Sequence, residues 1–343
     1  MIYLRHRDRG VALGRVDVDG ADRAAIPPVE GGNNRPLWSV MVPTYECAGF
    51  LRETLRSVLA QDPGRELMQI EVVDDASSDD PESVVRELGE GRVEFFRQPN
   101  NVGHVENFNT CVRRARGQLV HLLHGDDAVR EGFYETMRRP FEQRPDLGAA
   151  FCRYIAIDEH GTWQVVSRLE RQAAGVLEDW LERLAVGQRL QTPSMVVRRD
   201  VYEDVGGFDS RLTWTEDWEM WVRIAARYPV WFETEPLALY RIHSASSSGR
   251  LTRTAESIRD TRRAIDLIRA HVPADDADRL AAEARHELAT TALRRARRLI
   301  GSGDLEAGSA HLREALRTEA SAGVLARGAL VAARLLRAKA RAG

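Results

Sequence analysis

Residues 119–127 read Leu-Val-His-Leu-Leu-His-Gly-Asp-Asp, an apolar run that ends in two adjacent carboxylates. A short apolar run between Gly117 and Gly125 predicts a buried strand. In open α/β sheets, ligands bind beyond the carboxyl ends of the strands, which is where Asp126 and Asp127 fall. Two adjacent carboxylates repel each other unless a cation lies beside them, and Mg²⁺ and Mn²⁺ accept carboxylate oxygens while keeping positions for phosphate oxygens. The stretch therefore indicates a metal and diphosphate site, with a solvated Gly-Asp-Asp turn as the alternative.

Strand and helix patterns alternate through the residues that precede this stretch. Apolar runs predict strands at 38–42, 68–73 and 93–96, and each is followed by residues with helical spacing. The helix predicted at about 105–115 then returns the chain to the strand at 119. Such alternation is typical of an α/β fold with a mostly parallel, Rossmann-like sheet and helices on both faces.

Polar residues follow the ends of three of these strands: Tyr45, Asp74, Asp75, Asp126 and Asp127. The carboxyl ends of parallel strands meet at one edge of the sheet. We therefore expect these side chains to share a single cleft.

Eight motifs, taken in their order along the chain, make it resemble the family 2 glycosyltransferases of the GT-A fold, the nucleotide-diphospho-sugar transferase class. The resemblance covers about residues 37–248. The motifs are Val42-Pro43-Thr44-Tyr45, Val72 to Asp79, Asn101-Val102-Gly103 with Asn109, Ala115-Arg116-Gly117, Gly125-Asp126-Asp127, Gly206-Gly207-Phe208-Asp209, Glu216-Asp217-Trp218 and Tyr240-Arg241-Ile242-His243.

The resemblance implies a donor site for a nucleoside, usually uridine, at Pro43, Tyr45 and Asp75, with Asn101 and Asp126 on the same side. A tyrosine ring is suited to lie beside a base, and a carboxylate can accept the imide N–H of uracil. As an alternative, Tyr45 is a core residue and the acidic stretch that follows the second strand caps a helix.

For the metal, the resemblance implies Mn²⁺ or Mg²⁺ held by Asp126, Asp127 and His243. The family motif often begins with another acid, where this chain has His124. His124 is either a ligand or a residue that fills space, and we favour the latter because a lone histidine is a weak metal signal.

For catalysis, the resemblance implies that Asp217 is the general base. An acceptor hydroxyl must lose a proton as it attacks the anomeric carbon from the face opposite the nucleotide, and a buried carboxylate can take it. The expected result is inversion at that carbon. Glu216, Trp214 and Trp218 are expected to contact the acceptor or to orient the base. Alternatively, both acids serve the helix N-terminus, where Thr213 and Glu216 fit a capping box.

The implied function is metal-dependent transfer of one sugar from a nucleoside diphosphate sugar, with a UDP-sugar expected, to a hydroxyl or amine acceptor in cell-envelope glycan, polysaccharide or natural-product glycosylation. A processive synthase would usually carry a Gln-x-x-Arg-Trp motif and membrane spans, and neither is found in this sequence. The alternative is a catalytically silent sugar-nucleotide-binding or scaffold protein, against which the intact Asp217 argues.

The chain of 343 residues is long enough for a large domain with an appendage. We expect an N-terminal tail or loosely attached hairpin at 1–36, a catalytic domain at 37–250 and a helical extension at 251–343, with one tetratricopeptide-like helix pair. With 43% hydrophobic and 29% charged residues, three widely spaced cysteines and no apolar run near 20 residues, we expect a cytoplasmic protein without disulfides, structural zinc or a nucleic-acid partner.

Charge is distributed unevenly along the chain. From Leu251 onward there are 18 basic and 12 acidic residues, against 31 basic and 40 acidic residues before it. A helix at 324–341 would bring Leu325, Leu336 and much of Val331 and Leu335 towards one broad side, with arginines at its margins. This pattern is compatible with peripheral contact to an anionic membrane, with packing on the preceding helices or with a homodimer contact.

Overall fold

The computed structural model of the chain describes residues 22–29, 35–243 and 254–342, without the side chains of 341 and 342. Its strands are β1 (Trp38–Thr44), β2 (Met68–Asp74), β3 (Glu94–Arg97), β4 (Leu119–Leu122), β5 (Ala128–Val129), β6 (Ala149–Ile157), β7 (Trp163–Val166), β8 (Gly175–Val176), β9 (Met195–Arg198) and β10 (Val230–Arg241). They form one sheet in the order β3-β2-β1-β4-β9-β6-β10-β5, with β7 paired to β6 and β8 to β10.

The helices of the sheet domain are α1 (Ala48–Leu59), α2 (Pro81–Gly89), α3 (His104–Arg114), α4 (Phe133–Gln143), α5 (Trp180–Val186), α6 (Arg199–Val205) and α7 (Glu216–Ala225). Those that follow it are α8 (Glu256–Ile268), α9 (Ala274–Gly301), α10 (Leu305–Thr318) and α11 (Ala322–Ala342). Short 3₁₀ turns lie at Thr192–Ser194 and Arg269–His271. Among the residues that the structure describes, no helix is long and apolar enough to cross a bilayer.

The predicted α/β architecture is confirmed. Strand β1 pairs in parallel with both β2 and β4, and β2 pairs in parallel with β3. The chain therefore builds the sheet first to one side of β1 and then to the other. This reversal between β1 and β4 is a topological switch point, where the strand ends leave a crevice for a ligand. The second half of the sheet is mixed, because β9 is antiparallel to β4 and β6 whereas β6 and β10 are parallel.

Two hydrophobic clusters cover the two faces of the sheet. Successive side chains of a strand point to opposite faces, and in β1 Val40 and Val42 join one cluster while Met41 joins the other. The first cluster lies beneath α1, α2 and α4. The second includes residues of α3, α5, α6 and α7 and continues into the C-terminal helices.

The C-terminal helices share this second cluster with the sheet domain. Trp218 and Trp221 of α7 lie in the same buried cluster as Ile258 and Ile265 of α8, and all four side chains are almost fully buried. A shared core makes the extension part of the domain's packing. The boundary predicted at residue 250 lies outside the described residues.

The described part of the N-terminal region is anchored to the domain, whereas we expected a tail or a loosely attached hairpin. Ile26 is buried in the core, and the amide of Gly207 donates to the carbonyl of Ala24 at 2.8 Å. Burial of an apolar side chain and backbone pairing hold this stretch in place. Residues 1–21 and 30–34 of the predicted tail lie outside the described residues.

A buried ionic cluster joins the N-terminal segment and the C-terminal extension to α7. Oε1 of Glu219 accepts from Arg23 Nη2 at 3.2 Å and lies 3.1 Å from Nε2 of His271, and Oε2 accepts from Arg223 Nη2 at 2.7 Å. Burial disfavours the charged carboxylate, but Arg223, His271 and Arg23 outweigh it and lower the pKa of Glu219 to about 2. Helix α7 is thus fixed from the N-terminal segment and from the C-terminal helices.

Candidate active site

A cleft of about 1350 Å³ opens at the carboxyl ends of β1, β2 and β4 and extends to the C-terminal helices. Most of the residues singled out from the sequence line it: Pro43, Tyr45, Asp75, Asn101, Asp126, Trp214, Glu216, Asp217 and His243. Of the side chains expected to share one cleft, Tyr45, Asp75 and Asp126 line it, whereas Asp74 and Asp127 are fully buried and do not. Asp74 instead accepts from Nε of Arg97 at 2.7 Å. The chemical role of each residue remains a prediction.

The loop after β4 lies against the end of β1 at a distance that excludes a side chain. A Cβ atom on Gly125 would lie 2.7 Å from Oγ1 of Thr44 and 3.0 Å from Sγ of Cys47. On the other side, Oγ1 of Thr54 in α1 donates to the carbonyls of Gly125 at 3.1 Å and Asp127 at 2.6 Å. Glycine at position 125 allows the two strand ends to meet, and Thr54 fixes the loop that carries the aspartates.

Three side chains of this loop form a group with the chemistry of a metal site. One ligand atom each from His124, Asp126 and Asp127 lie within 4.8 Å of one another. Oδ1 of Asp127 accepts from the amide of Arg241 at 2.8 Å, and its Oδ2 lies 3.4 Å from Nδ1 of His124. Neither this Oδ2 nor Nε2 of His124 has a hydrogen-bond partner among the described residues, and both atoms are buried. Buried polar atoms are normally paired. Two carboxylates and an imidazole with unpaired atoms therefore fit Mn²⁺ or Mg²⁺.

His243, which we expected to bind the metal, lies beside this three-residue group. Its Nε2 lies 2.9 Å from Oδ2 of Asp126, so it contacts a ligand candidate instead of joining the three-residue group. His124, which we expected to fill space, belongs to that group. Burial and the adjacent charge of Asp126 raise the pKa of Asp127 to about 6. Asp126 and Asp127 therefore repel each other when both are ionised, and a bound cation would offset this repulsion.

The nucleoside region is formed by the ends of β1 and β2. The carboxylate of Asp75 accepts from the amides of Val102 at 2.7 Å and Gly103 at 3.0 Å, and Nδ2 of Asn101 donates to the carbonyl of Asp75 at 3.3 Å. Each oxygen keeps a further lone pair for a ligand. Tyr45 is 52% exposed, which rules out the alternative that its ring is a core residue.

Helix capping accounts for other members of the acidic stretch. Asp80 accepts from the amide of Ser83 at 3.2 Å and caps α2, and Asp79 accepts from the amide of Ala48 at 2.7 Å at the start of α1. Asp75 has neither function. Helix capping therefore accounts for Asp79 and Asp80. It does not account for Asp75, which lines the cleft.

Asp217 lies in the first turn of α7 with its carboxylate held from two sides. Oδ2 accepts from Nε2 of Gln188 at 2.7 Å and from Oγ1 of Thr192 at 3.1 Å, and Oδ1 accepts from the amide of Trp218 at 2.7 Å. Burial, together with the like charge of Glu216, raises the pKa of Asp217 to about 7. A carboxylate with this pKa is suited to accept a proton near neutral pH.

Glu216 has a different partner from its neighbour. Its Oε1 lies 3.3 Å from Nε2 of His104 in α3, and its Oε2 is buried without a hydrogen-bond partner among the described residues. Burial raises the pKa of Glu216, but His104 lowers it more, so the net shift is downward. The capping box with Thr213 does not form, because the amide of Thr213 donates to Asp260. Glu216 therefore stays ionised more readily than Asp217 and places a negative charge beside it.

The two tryptophans of the predicted acceptor region differ in position. Trp214 lines the cleft. Trp218 is instead a core residue whose Nε1 donates to the carbonyl of Leu184 at 2.7 Å. The apolar stripe of α7 places Trp218 behind the cleft, where it supports Asp217 through its backbone amide and not by contact with an acceptor.

Asp260 of α8 organises the loop that leads into α7. Its Oδ1 accepts from the amide of Thr213 at 3.0 Å, and its Oδ2 accepts from the amides of Trp214 at 2.9 Å and Thr215 at 3.0 Å. Oγ1 of Thr215 also donates to Oδ2 at 2.8 Å. A single carboxylate of the C-terminal extension thus satisfies three amides directly before the turn that carries Asp217.

Sequence reasoning missed three residues of the site: His104, Gln188 and Asp260. Each contacts a predicted residue across a long sequence separation, and none belongs to a recognisable motif. It also missed the far wall of the cleft, which the extension provides through Thr254, Arg259, Asp304, Glu306, Ala307, Ala310 and Arg313. Helical periodicity predicted these helices but could not show which of their faces meets the cleft.

A model of glycosyl transferase family 2 matches residues 39–206. An uncharacterised protein of Mycobacterium tuberculosis is 29% identical over 248 residues, 67% of this chain and 74% of that protein. An uncharacterised glycosyltransferase of Rickettsia typhi is 26% identical over 219 residues, 62% of this chain and 66% of that protein.

Solved structures share the fold at low sequence identity. TarS of S. aureus in complex with UDP has a TM-score of 0.57 at 17% identity, covering 72% of this chain and 70% of that chain. The mannosyltransferase PcManGT from Pyrobaculum calidifontis, solved with GDP-Man and Mn²⁺, has a TM-score of 0.51 at 20% identity, covering 92% and 90%. TarS has also been solved with UDP-GlcNAc.

We expect Mn²⁺ binding to depend on Asp127 more strongly than on His243. Replacement Asp127→Asn removes a charge from the three-residue group, whereas His243→Ala removes a side chain that contacts Asp126. The second change should weaken Mn²⁺ binding by roughly 10–100-fold, as for other residues that support a metal ligand, and the first by more. Calorimetric titration with Mn²⁺ alone measures both, with Asp200→Asn on α6 as an exposed control. Equal Mn²⁺ affinity in Asp127→Asn and the unmodified chain would contradict the assignment.

We expect Asp260→Ala to loosen the loop at 213–215. Loss of the carboxylate leaves three amides unpaired at about 1–3 kcal/mol for each buried donor, so their hydrogen exchange should accelerate roughly tenfold or more. Asp266→Ala on the exposed side of α8 is the matched control. Asp260→Asn keeps one acceptor oxygen and should give an intermediate rate. Unchanged exchange at 213–215 in both Asp260 variants would show that the loop is held by other contacts.

Proposed function

The chain is a family 2 glycosyltransferase, and we propose that it is an inverting, metal-dependent enzyme that transfers one sugar from a nucleoside diphosphate sugar to a hydroxyl or amine acceptor. The observation that carries this proposal is the occurrence of two acidic centres in one cleft. Asp126 and Asp127 lie beside His124 at the end of β4, and Asp217, with its pKa raised to about 7, lies at the start of α7.

We propose a UDP-sugar as the donor. Tyr45 is exposed in the cleft, and the Asp75 carboxylate keeps acceptor capacity after binding two amides. A uracil offers an imide N–H to such an acceptor. The UDP and UDP-GlcNAc complexes of TarS support this choice, whereas the GDP-Man complex of PcManGT makes a guanosine donor the competitor to be tested.

His124, Asp126 and Asp127 would hold the cation. When bound, Mn²⁺ or Mg²⁺ supplies a Lewis acid that offsets the negative charge of the departing diphosphate. His243 keeps Asp126 oriented through the contact at 2.9 Å. The amide of Arg241 keeps Oδ1 of Asp127 occupied, which directs Oδ2 to the site.

Asp217 is the group that we propose to act on the acceptor. Gln188 and Thr192 orient its Oδ2, and the ionised form accepts the proton of the attacking hydroxyl. The bond between the anomeric carbon and the diphosphate oxygen breaks as the acceptor oxygen bonds to the opposite face. The configuration at that carbon is thereby inverted, and the proton remains on Asp217.

The acceptor is proposed to lie between Trp214 and the wall formed by the extension. That wall combines Arg259, Glu306 and Arg313 with small apolar residues of α10. Charged and hydroxyl-binding groups beside an aromatic ring suit a polar, glycan-like acceptor. Cell-envelope glycans, polysaccharides and glycosylated natural products all provide such acceptors.

The test is donor turnover with a panel of UDP- and GDP-sugars in the presence of Mn²⁺, which needs no knowledge of the acceptor. Asp217→Asn should keep donor affinity while turnover falls by roughly 10²–10⁴, the usual effect of losing a general base. Asp200→Asn on α6 serves as the control. Equal loss of donor affinity and turnover in Asp217→Asn would show that this residue binds the donor. Donor binding without any turnover, even with acceptor mixtures, would instead favour a sugar-nucleotide-binding scaffold.

We expect turnover to rise with pH through about 7, because only the ionised form of Asp217 accepts a proton. In Glu216→Gln the like charge beside Asp217 is removed, so its pKa falls and the rise should occur at lower pH. Glu106→Gln, an exposed change on α3, should leave the profile unchanged. The measurement is turnover as a function of pH for the unmodified chain, Glu216→Gln and Glu106→Gln. A rise at the same pH in Glu216→Gln would exclude Asp217 as the titrating group.

A further inference from the structure

We propose that the outer face of α11 is a docking surface for an anionic membrane. We use "outer face" for the side of the helix formed by Leu325, Ala326, Ala329, Leu330, Ala333 and Leu336. The inference does not depend on the cleft or on the proposed reaction, because it rests on the exposure and charge of this helix.

The orientation of α11 is fixed by its inner side. Val324, Val331 and Leu335 are buried in the shared core. A Cβ atom on Gly328, which lies on the same side, would be 2.8 Å from Cδ2 of Leu316 in α10. The expectation that Val331 and Leu335 lie towards the same side as Leu325 and Leu336 is therefore wrong. At 100° per residue, these two pairs point to different sides of the helix.

The outer face exposes large apolar side chains to solvent. Leu330 is 73% exposed, Leu336 68% and Leu325 47%. Isolated exposed leucines are ordinary, but here alanines at 326, 329 and 333 are exposed between them. The result is a continuous apolar strip along the helix, a feature that marks interaction surfaces.

Basic residues border this strip. Arg327, Arg334 and Lys339 are exposed at its margins, and the exposed Arg337 lies on the outer face itself, beyond Leu336 at the C-terminal end of the strip. The end of α9 lies beside them, since a Cβ atom on Gly301 would be 3.1 Å from Nη2 of Arg334. That helix adds three exposed arginines: Arg294, Arg297 and Arg298. The sequence contains no acidic residue after Glu319, so the strip carries cations without neighbouring carboxylates of its own helix.

This charge pattern favours an anionic bilayer over the other binding partners that the outer face could have. A second copy of α11 would bring like charges together along the same strip, which is unfavourable. Nucleic acid would match the arginines but would leave the leucines in water. An anionic bilayer satisfies both, because the leucines enter the interface while the long basic side chains reach the headgroups.

The position of α11 determines how far a bound membrane would lie from the cleft. Helix α10 carries Ala310 and Arg313 in the cleft wall and Leu316 against α11. Helix α10 therefore lies between α11 and the cleft, so the outer face of α11 is about two helix diameters, roughly 20 Å, from the cleft. If the proposed function holds, a membrane bound at α11 brings lipid-carried acceptors close to the acceptor wall.

The test is co-sedimentation of the full chain with vesicles of phosphatidylglycerol and phosphatidylcholine, or of phosphatidylcholine alone, at low and high salt. We expect binding to the anionic vesicles at low salt, and its loss at high salt. Arg327→Gln and Arg334→Gln should each weaken binding about fivefold. The double variant Leu330→Ser/Leu336→Ser should weaken it further, whereas the exposed Leu67→Ser and the exposed Arg139→Gln of α4 should not.

Failure of the unmodified chain to bind anionic vesicles at low salt would overturn the proposal. Unchanged binding by the Leu330→Ser/Leu336→Ser variant would do the same, because the apolar strip would then have no function in it. Concentration-dependent dimers that this variant loses, seen by analytical ultracentrifugation without vesicle binding, would assign the strip to a second copy. Donor turnover in vesicle-free solution should be equal in all variants, so it reports on the proposed function separately.

Discussion

The organising constraint of this protein is the placement of two pairs of adjacent acids at one cleft, with Asp126 half-buried and the other three carboxylates buried. Asp126 and Asp127 lie at the end of β4, and Glu216 and Asp217 lie at the start of α7. Burial of a charged carboxylate is unfavourable unless a partner compensates it. The two pairs obtain different partners, since histidines and a backbone amide serve the first while His104 serves Glu216. Asp217 receives hydrogen bonds from neutral donors alone, so burial and the charge of Glu216 prevail and raise its pKa to about 7.

These requirements explain why so much of the chain converges on α7. A helix that carries two buried acids in its first turn must be held against their mutual repulsion. Asp260 orders the backbone before that turn, and Glu219 connects the next turn to Arg23 and His271. The N-terminal segment and the C-terminal extension therefore both contribute to a helix that lies outside the segment matched by the family model.

The sequence was informative wherever a residue's position follows from strand order. Asp75 and Asp126 follow strands with clear apolar patterns, and parallel pairing brings such positions to one edge. His104, Gln188 and Asp260 could not be found in this way, because their partners lie on other elements and only tertiary packing brings them together. His124 was expected to fill space for a related reason. A histidine alone is a weak metal signal, and only its position beside two carboxylates makes it a candidate ligand. The inner side of α11 was misjudged because helical periodicity gives a spacing without saying which side finds a partner.

The dual position of α8 and α10 bears on how proteins of this kind diverge. The extension supplies one wall of the cleft, where we propose that the acceptor binds, and its Asp260 holds the loop that precedes the proposed base. Exchanging the extension for another would change this wall of the cleft and the support of the loop before Asp217 in one step. The wall of the cleft and the support of the loop before Asp217 are therefore encoded in the same segment. A chimera of two such enzymes would need a carboxylate at the position of Asp260 to keep that loop in place.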